Sequence, residues 1–216
     1  MAHVLFIRPC YEFLTRNLVS ASNLIINRLD ISNSPTTFCD LLGSDATKQN
    51  VEAELTDRVN FVAFLGHGNA SYLATRGRAN VREKVIELNN CHYLKNKVVY
   101  AVACDSAKIL GREAVNTGAK AYIGYSGPVS LILGSTESIF YGSLNHFIYT
   151  LTVPQLAAAK TLCGDAFDEL WRAHDAIVEH YESGLGANDY NRPFYLPNAK
   201  ANLKWLTFLG DRTATV

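Results

Sequence analysis

The chain has 216 residues, 48% of them hydrophobic and 19% charged, and its 20 Lys and Arg balance 20 Asp and Glu. That length suffices for one well-cored domain, and a formal net charge of zero leaves no electrostatic footprint for nucleic acid or a membrane surface. No apolar run approaches the roughly 20 residues needed to cross a bilayer, and Met1 to Pro9 lacks the pattern of a secretory signal. Five cysteines stand at 10, 39, 91, 104 and 163, none spaced as CxxC, which fits reduced thiols better than a disulfide framework or a zinc site. The expectation is a soluble cytoplasmic protein without metal or cofactor.

In chain order, Val4-Leu5-Phe6-Ile7 reads as a buried first strand ended by Arg8-Pro9, and apolar positions at helical spacing predict a helix over about 11–30. Ser32 to Pro35 is a turn cluster, and a short strand is expected at Thr37–Leu42, with Asp40 as its discordant residue. Ser44 to Asp57 is polar with a weak helical pattern. Two segments then stand out. Phe61-Val62-Ala63-Phe64-Leu65 is apolar throughout and stops at Gly66-His67-Gly68-Asn69; Val98 to Ala103 is its twin and stops at Cys104-Asp105-Ser106. Strands apolar at every position are expected in parallel sheets covered on both faces. A crossover helix is expected between them over Arg82–Asn90.

Ala107 to Ala114 reads as a helix starting just after Cys104, Thr117-Gly118 as its end, and Ala119 to Gly124 as the next strand. Helices are expected over Gly134–Tyr149 and Pro154–Tyr181, a loop over Ser183–Asn188, and a late strand or helix over Leu203–Leu209. The alternation of strand and helix points to an open parallel α/β sheet in a single domain covering 1–216.

In such sheets the working crevice lies beyond the carboxyl ends of the strands, where His67 and Cys104 both fall. A thiol and an imidazole converging there have the makings of a nucleophile and its proton-transfer partner. A helix starting after Cys104 would favour negative charge on its sulfur. Gly68 has no side chain to keep its backbone N–H from a tetrahedral oxyanion, alongside the N–H of Cys104. Cys91-His92 has no partner cluster, and His174 and His180 read as part of a solvated helix face.

These segments resemble the clan CD cysteine peptidases, the group of caspases, legumains, gingipains and bacterial CHAT proteases. Phe61 to Gly68 resembles the family's apolar strand plus His-Gly, and Val99 to Ser106 its following strand plus Ala-Cys. The His precedes the Cys by about 50 residues in caspases and by 37 here. Thr117 to Gly124 and Phe208-Leu209-Gly210-Asp211 are similar to later segments of gingipain-type domains. The resemblance implies a caspase-like three-layer α/β/α sandwich. It implies an endopeptidase acting on a protein or peptide, with Cys104 as nucleophile, His67 as acid–base residue, and Gly68 and Cys104 supplying oxyanion-hole N–H groups. Tyr125-Ser126-Gly127-Pro128-Val129 would line the substrate cleft and pair with an extended peptide, or else form the ordinary turn that its Gly-Pro supports. Relatives specific for Arg or Lys carry an acid two positions before the cysteine, where this chain has Val102. Asp105 is either a substitute acid at the pocket mouth or a first-turn helix acid, and Asp57 or Asp40 are the other candidates. Control by an activating protein partner is the family's habit. A catalytically silent interaction module and an unrelated thiol hydrolase are the alternatives, the second weakened by the absence of a GxSxG or GxCxG elbow.

Overall fold

The computed structural model describes residues 3–31, 36–76, 82–130 and 162–216. Strands β1 (His3–Arg8), β2 (Thr37–Leu42), β3 (Phe61–Leu65), β7 (Val98–Val102), β8 (Ala121–Tyr125) and β9 (Leu206–Gly210) form one sheet in the order β2-β1-β3-β7-β8-β9. All neighbours are parallel except β9, which returns antiparallel to β8. Helices α1 (Phe13–Ile31), α2 (Lys48–Glu54), α3 (Leu110–Asn116), α4 (Cys163–Glu182) and α5 (Arg192–Trp205) complete the main frame.

The uniformly apolar strands are explained by alternation. Side chains of a strand point to opposite faces in turn. Val4, Phe6, Phe61, Ala63, Leu65, Val98, Tyr100 and Val102 join Leu18 of α1 and Ala166 and Leu170 of α4 in one core. Leu5, Ile7, Val62, Phe64, Val99 and Ala101 join Val51 of α2 and Leu110 and Ala114 of α3 in the other. Two covered faces give the three-layer α/β/α arrangement. Among the described helices, none is long and apolar enough to cross a membrane.

The strands expected at 4–7, 37–42, 61–65 and 98–103 are present, as is the helix over about 11–30. Asp40, discordant in its strand, accepts from Arg8 Nε at 2.8 Å. Arg8 is buried, and its Nη1 also donates to Ser22 Oγ at 2.8 Å and Asn23 Oδ1 at 2.7 Å. A buried guanidinium requires such a set of acceptors.

The crossover helix expected over 82–90 is corrected. Arg82–Glu87 is strand β6, paired antiparallel with β5 (Tyr72–Arg76), which in turn pairs with the short β4 (His67–Asn69). A β-bulge at Leu73/Ala74 shifts the β5–β6 register, so consecutive Val85 and Ile86 are both buried. That breaks the period-two pattern by which a strand is recognised. Asn90 then closes the turn after β6, with its Oδ1 accepting from Glu87 N–H at 2.7 Å.

The last helix begins earlier than the late element required: α5 runs to Trp205 and β9 follows at once, so Leu203–Leu209 is part helix and part strand. The turn at 32–35, the helix expected over 134–149 and the start of that over 154–181 lie outside the described residues. The 163–182 portion is helical, but its His174 is buried instead of solvated. His174 Nδ1–H donates to Leu170 O at 3.0 Å, and Nε2 accepts from Tyr125 O–H at 3.2 Å.

Burial pushes the His174 pKa down to about 4, whereas an unfolded imidazole protonates near pH 6.5. As pH falls, the unfolded chain therefore takes up this proton first. Stability from this group is complete above about pH 6.5 and is lost as pH drops toward 4, by up to about 3 kcal/mol. Urea unfolding at pH 7, 6 and 5 is expected to show this slope, and His174→Gln, which keeps a neutral polar group in place, to flatten it. An identical pH slope in the variant would remove the assignment.

Candidate active site

Register brings the two candidate residues together. Leu65 of β3 lies opposite Val102 of β7, and Gly66 N–H extends the ladder by donating to Val102 O at 3.1 Å. His67 and Cys104 each stand two residues past that last pair, so they leave the same edge of the sheet side by side. Both line one pocket, together with Gly66, Ala103, Leu14, Leu18, Val102 and Val129.

Sequence reasoning missed Glu12. Its carboxylate Oε1 makes a short contact with His67 Nε2. Glu12 lies just past β1, the strand beside β3, and so reaches the same edge. Its position is fixed by the start of α1: Arg16 N–H donates to Glu12 O at 2.9 Å. Buried Thr15 caps that turn, its Oγ1 accepting from Tyr11 N at 3.0 Å and Glu12 N at 3.2 Å. The signal available in the sequence was an acid just after the end of a buried strand, followed by a Thr three residues on.

Gly68 sits tightly against the end of β7. A Cβ there would lie 2.9 Å from Ala103 Cβ, 3.2 Å from Tyr72 O and 3.3 Å from Cys104 O. No other residue lets these two strand ends approach so closely.

The helix expected directly after Cys104 is displaced. Asp105 has φ +57°, its N–H donates to Gly127 O at 2.9 Å, and Ala107 N–H donates to Tyr125 O at 3.0 Å. These bonds extend the β7–β8 pairing beyond the sheet and delay α3 to Leu110. Cys104 therefore does not sit at a helix N-terminus, and its sulfur receives a hydrogen bond from Val129 N–H at 3.4 Å instead. Asp105 is likewise not a first-turn helix acid; Lys108 Nζ lies 2.6 Å from its carboxylate.

Of the stretch from Tyr125 to Val129, Val129 lines the pocket, whereas Tyr125, Ser126 and Gly127 are turned inward. Because β9 pairs with β8, β8 is not a sheet edge and offers no free ladder to a peptide at these residues. Tyr125 is fully buried with its hydroxyl on His174. Ser126 N–H donates to Trp205 O at 2.8 Å, and Gly127 packs against the Trp205 ring, 2.3 Å from where its Cβ would be. Asp40 is held by Arg8, and Asp57 lies in the turn before β3, at the opposite end of the strands. Cys91 is buried in a single turn before β7, again at that far end. Among the described residues, no cluster of three His, Cys, Asp or Glu side chains could hold a metal ion.

A thiol and an imidazole stand at the carboxyl edge of a parallel α/β sheet, with a carboxylate on the imidazole, the residue types that thiol hydrolases use. The model of Peptidase family C25 matches residues 25–215, and the chain belongs to that family. His67 and Cys104 fall within the match and Glu12 before it. The fold is similar to the crystal structure of the Arg-specific cysteine proteinase gingipain R, with a TM-score of 0.64, 15% identity, and coverage of 99% of this chain and 47% of that one. It is also similar to the complex of Porphyromonas gingivalis RgpB pro- and mature domains, at TM-score 0.62 and 13% identity, covering 100% of this chain and 48% of that one. A further solved structure, described as a protease, gives 0.56 and 15%, covering 99% and 48%. The chain thus spans about half the length of the solved structures it matches. No curated protein matches it by sequence.

If Glu12 holds the His67 ring, its removal should slow chemistry without abolishing it. A charge-assisted hydrogen bond is worth about 1.5–3 kcal/mol, so Glu12→Ala is expected to lower kcat/KM by about 10- to 100-fold. The check is steady-state peptide hydrolysis, and unchanged kinetics would exclude Glu12 from the site.

Proposed function

We propose that this chain is a cysteine endopeptidase domain in which Cys104 is the nucleophile and His67 the proton carrier. The observation that carries the reading is the β3–β7 register, which sets both residues two positions beyond one paired couple and beside one pocket. Membership of Peptidase family C25 supports it.

The Cys104 thiol proton passes to His67, Sγ attacks the scissile carbonyl carbon, and the S–C bond forms as the carbonyl electrons move to oxygen. The N–H groups of Gly68 and Cys104 are the donors assigned to that oxyanion. The oxyanion collapses, the C–N bond breaks, and His67 gives its proton to the departing amine. Water then attacks the acyl-enzyme while His67 accepts its proton, and the S–C bond breaks to release the acid. Glu12 keeps the imidazole oriented and offsets its positive charge while protonated.

The described pocket walls, Leu14, Leu18, Val102, Ala103 and Val129, are apolar. Asp105 is paired with Lys108 and Asp40 with Arg8. An apolar residue beside the scissile bond is therefore favoured over Arg or Lys. The pro- and mature-domain complex of the similar RgpB supports a regulatory protein partner as a further proposal.

A scan of fluorogenic peptides differing in the residue before the scissile bond tests the assignment. Wild-type chain is expected to cleave apolar-site peptides, with Cys104→Ala and His67→Ala reduced by at least about 100-fold. Cleavage surviving in Cys104→Ala would end the reading, and strict preference for Arg would overturn the apolar pocket alone.

A further inference from the structure

The segment from Ser126 to Ser130 has no regular structure, yet it supplies the hydrogen bond that reaches the reactive sulfur, Val129 N–H to Cys104 Sγ at 3.4 Å. A backbone N–H can hold a sulfur in a fixed direction, and stabilise charge on it, only if that backbone is itself immobile. Part of the immobility comes from Trp205, whose carbonyl accepts from Ser126 N–H at 2.8 Å and whose ring covers Gly127. Asp105 N–H holds Gly127 O from the other side at 2.9 Å, and a further part comes from Asn202, three residues earlier in α5.

Asn202 is 1% exposed, and its side chain closes a two-bond clamp on the main chain of Ser130. Ser130 N–H donates to Asn202 Oδ1 at 2.9 Å, and Asn202 Nδ2 donates to Ser130 O at 2.7 Å. A carboxamide is suited to this because its donor and acceptor match the two main-chain groups of one residue. Helix α5 is anchored in turn by packing on α4 and by its direct run into β9. The clamp therefore ties the residue after Val129 to a rigid element, 72 positions further along the chain.

We propose that Asn202 is a positioning residue for Cys104, acting through Ser130 and Val129 to keep the Val129 N–H on the sulfur. The proposal rests on Cys104 being the reactive thiol. Asn202 touches neither the pocket nor the sulfur, and its effect is on how fast Cys104 reacts. Loss of one hydrogen bond to the sulfur lowers the thiolate fraction about tenfold, and the higher nucleophilicity of the less stabilised thiolate returns part of that, leaving about a threefold slower reaction.

The test is alkylation of the whole chain by iodoacetamide, with each cysteine followed separately by mass spectrometry. Cys91 and Cys163 are buried and report on the fold. In Asn202→Ala, Cys104 is expected to alkylate about threefold more slowly than in wild type while Cys91 and Cys163 stay protected. A merely structural role would leave Cys104 unchanged, or speed it by uncovering it. Val129→Pro removes the N–H itself with Asn202 intact and is expected to slow Cys104 to the same degree. Asn202→Asp keeps the acceptor for Ser130 N–H but sets a carboxylate oxygen against Ser130 O, and is expected to slow Cys104 at least as much as Asn202→Ala. A wild-type or faster Cys104 rate in Asn202→Ala, with the other two cysteines protected, overturns the proposal. Should Asn202→Ala expose them, the Val129→Pro rate decides, and an unchanged rate there overturns it equally. Peptide cleavage persisting in Cys104→Ala would defeat the peptidase reading and leave the alkylation result to stand separately.

Discussion

The parallel pairing of β3 with β7 carries the most weight in this structure. Phe61 to Leu65 and Val98 to Val102 are apolar at every position, so burial alone does not choose their partner or their register. The choice is made by the two different cores on either face, since a slip of one residue would send Phe61, Ala63 and Leu65 into the space that Val62 and Phe64 fill. With the register fixed, the ends of both strands fall level. A parallel pair must also leave the sheet at the same edge. Proximity of His67 and Cys104 follows from those two facts without any direct bond between them.

The neighbouring strand adds the third member by the same logic. β1 is parallel to β3, and the chain leaving it reaches Glu12 within four residues of Arg8. Buried Arg8 secures that exit, tying β1 to Asp40 of β2 and to Ser22 and Asn23 of α1. Removing one partner of such a buried ion pair commonly costs about 3–5 kcal/mol, so Asp40 has a structural use despite its poor fit to a strand. On the other flank, β9 closes β8 and brings α5 against the segment beyond it. The sulfur of Cys104 is thus bordered by groups contributed from both halves of the chain.

The sequence was legible where one residue type serves one purpose. Fully apolar strands, the glycine-flanked histidine and the cysteine at a strand end were recoverable because burial on two faces leaves a plain mark. It was misleading where a tertiary contact changed the local preference. Arg82 to Asn90 contains good helix formers, yet it pairs with β5, and the bulge that buries Val85 beside Ile86 removes the alternation that marks a strand. Ala107 to Ala114 also suits a helix, but Asp105 and Ala107 spend their N–H groups on Gly127 and Tyr125. The turn therefore stays open until Leu110.

What the sequence determined by itself was the layered α/β class and the two candidate residues at strand ends, because hydrophobic periodicity and residue type are local properties. What only the tertiary structure decided was what stands around them. Glu12 reaches His67, Val129 replaces a helix terminus as the donor to Cys104, and Tyr125 to Gly127 turn inward. Each of these depends on contacts between segments tens of residues apart, and such contacts are set by how strands order themselves in the sheet, which no local pattern records.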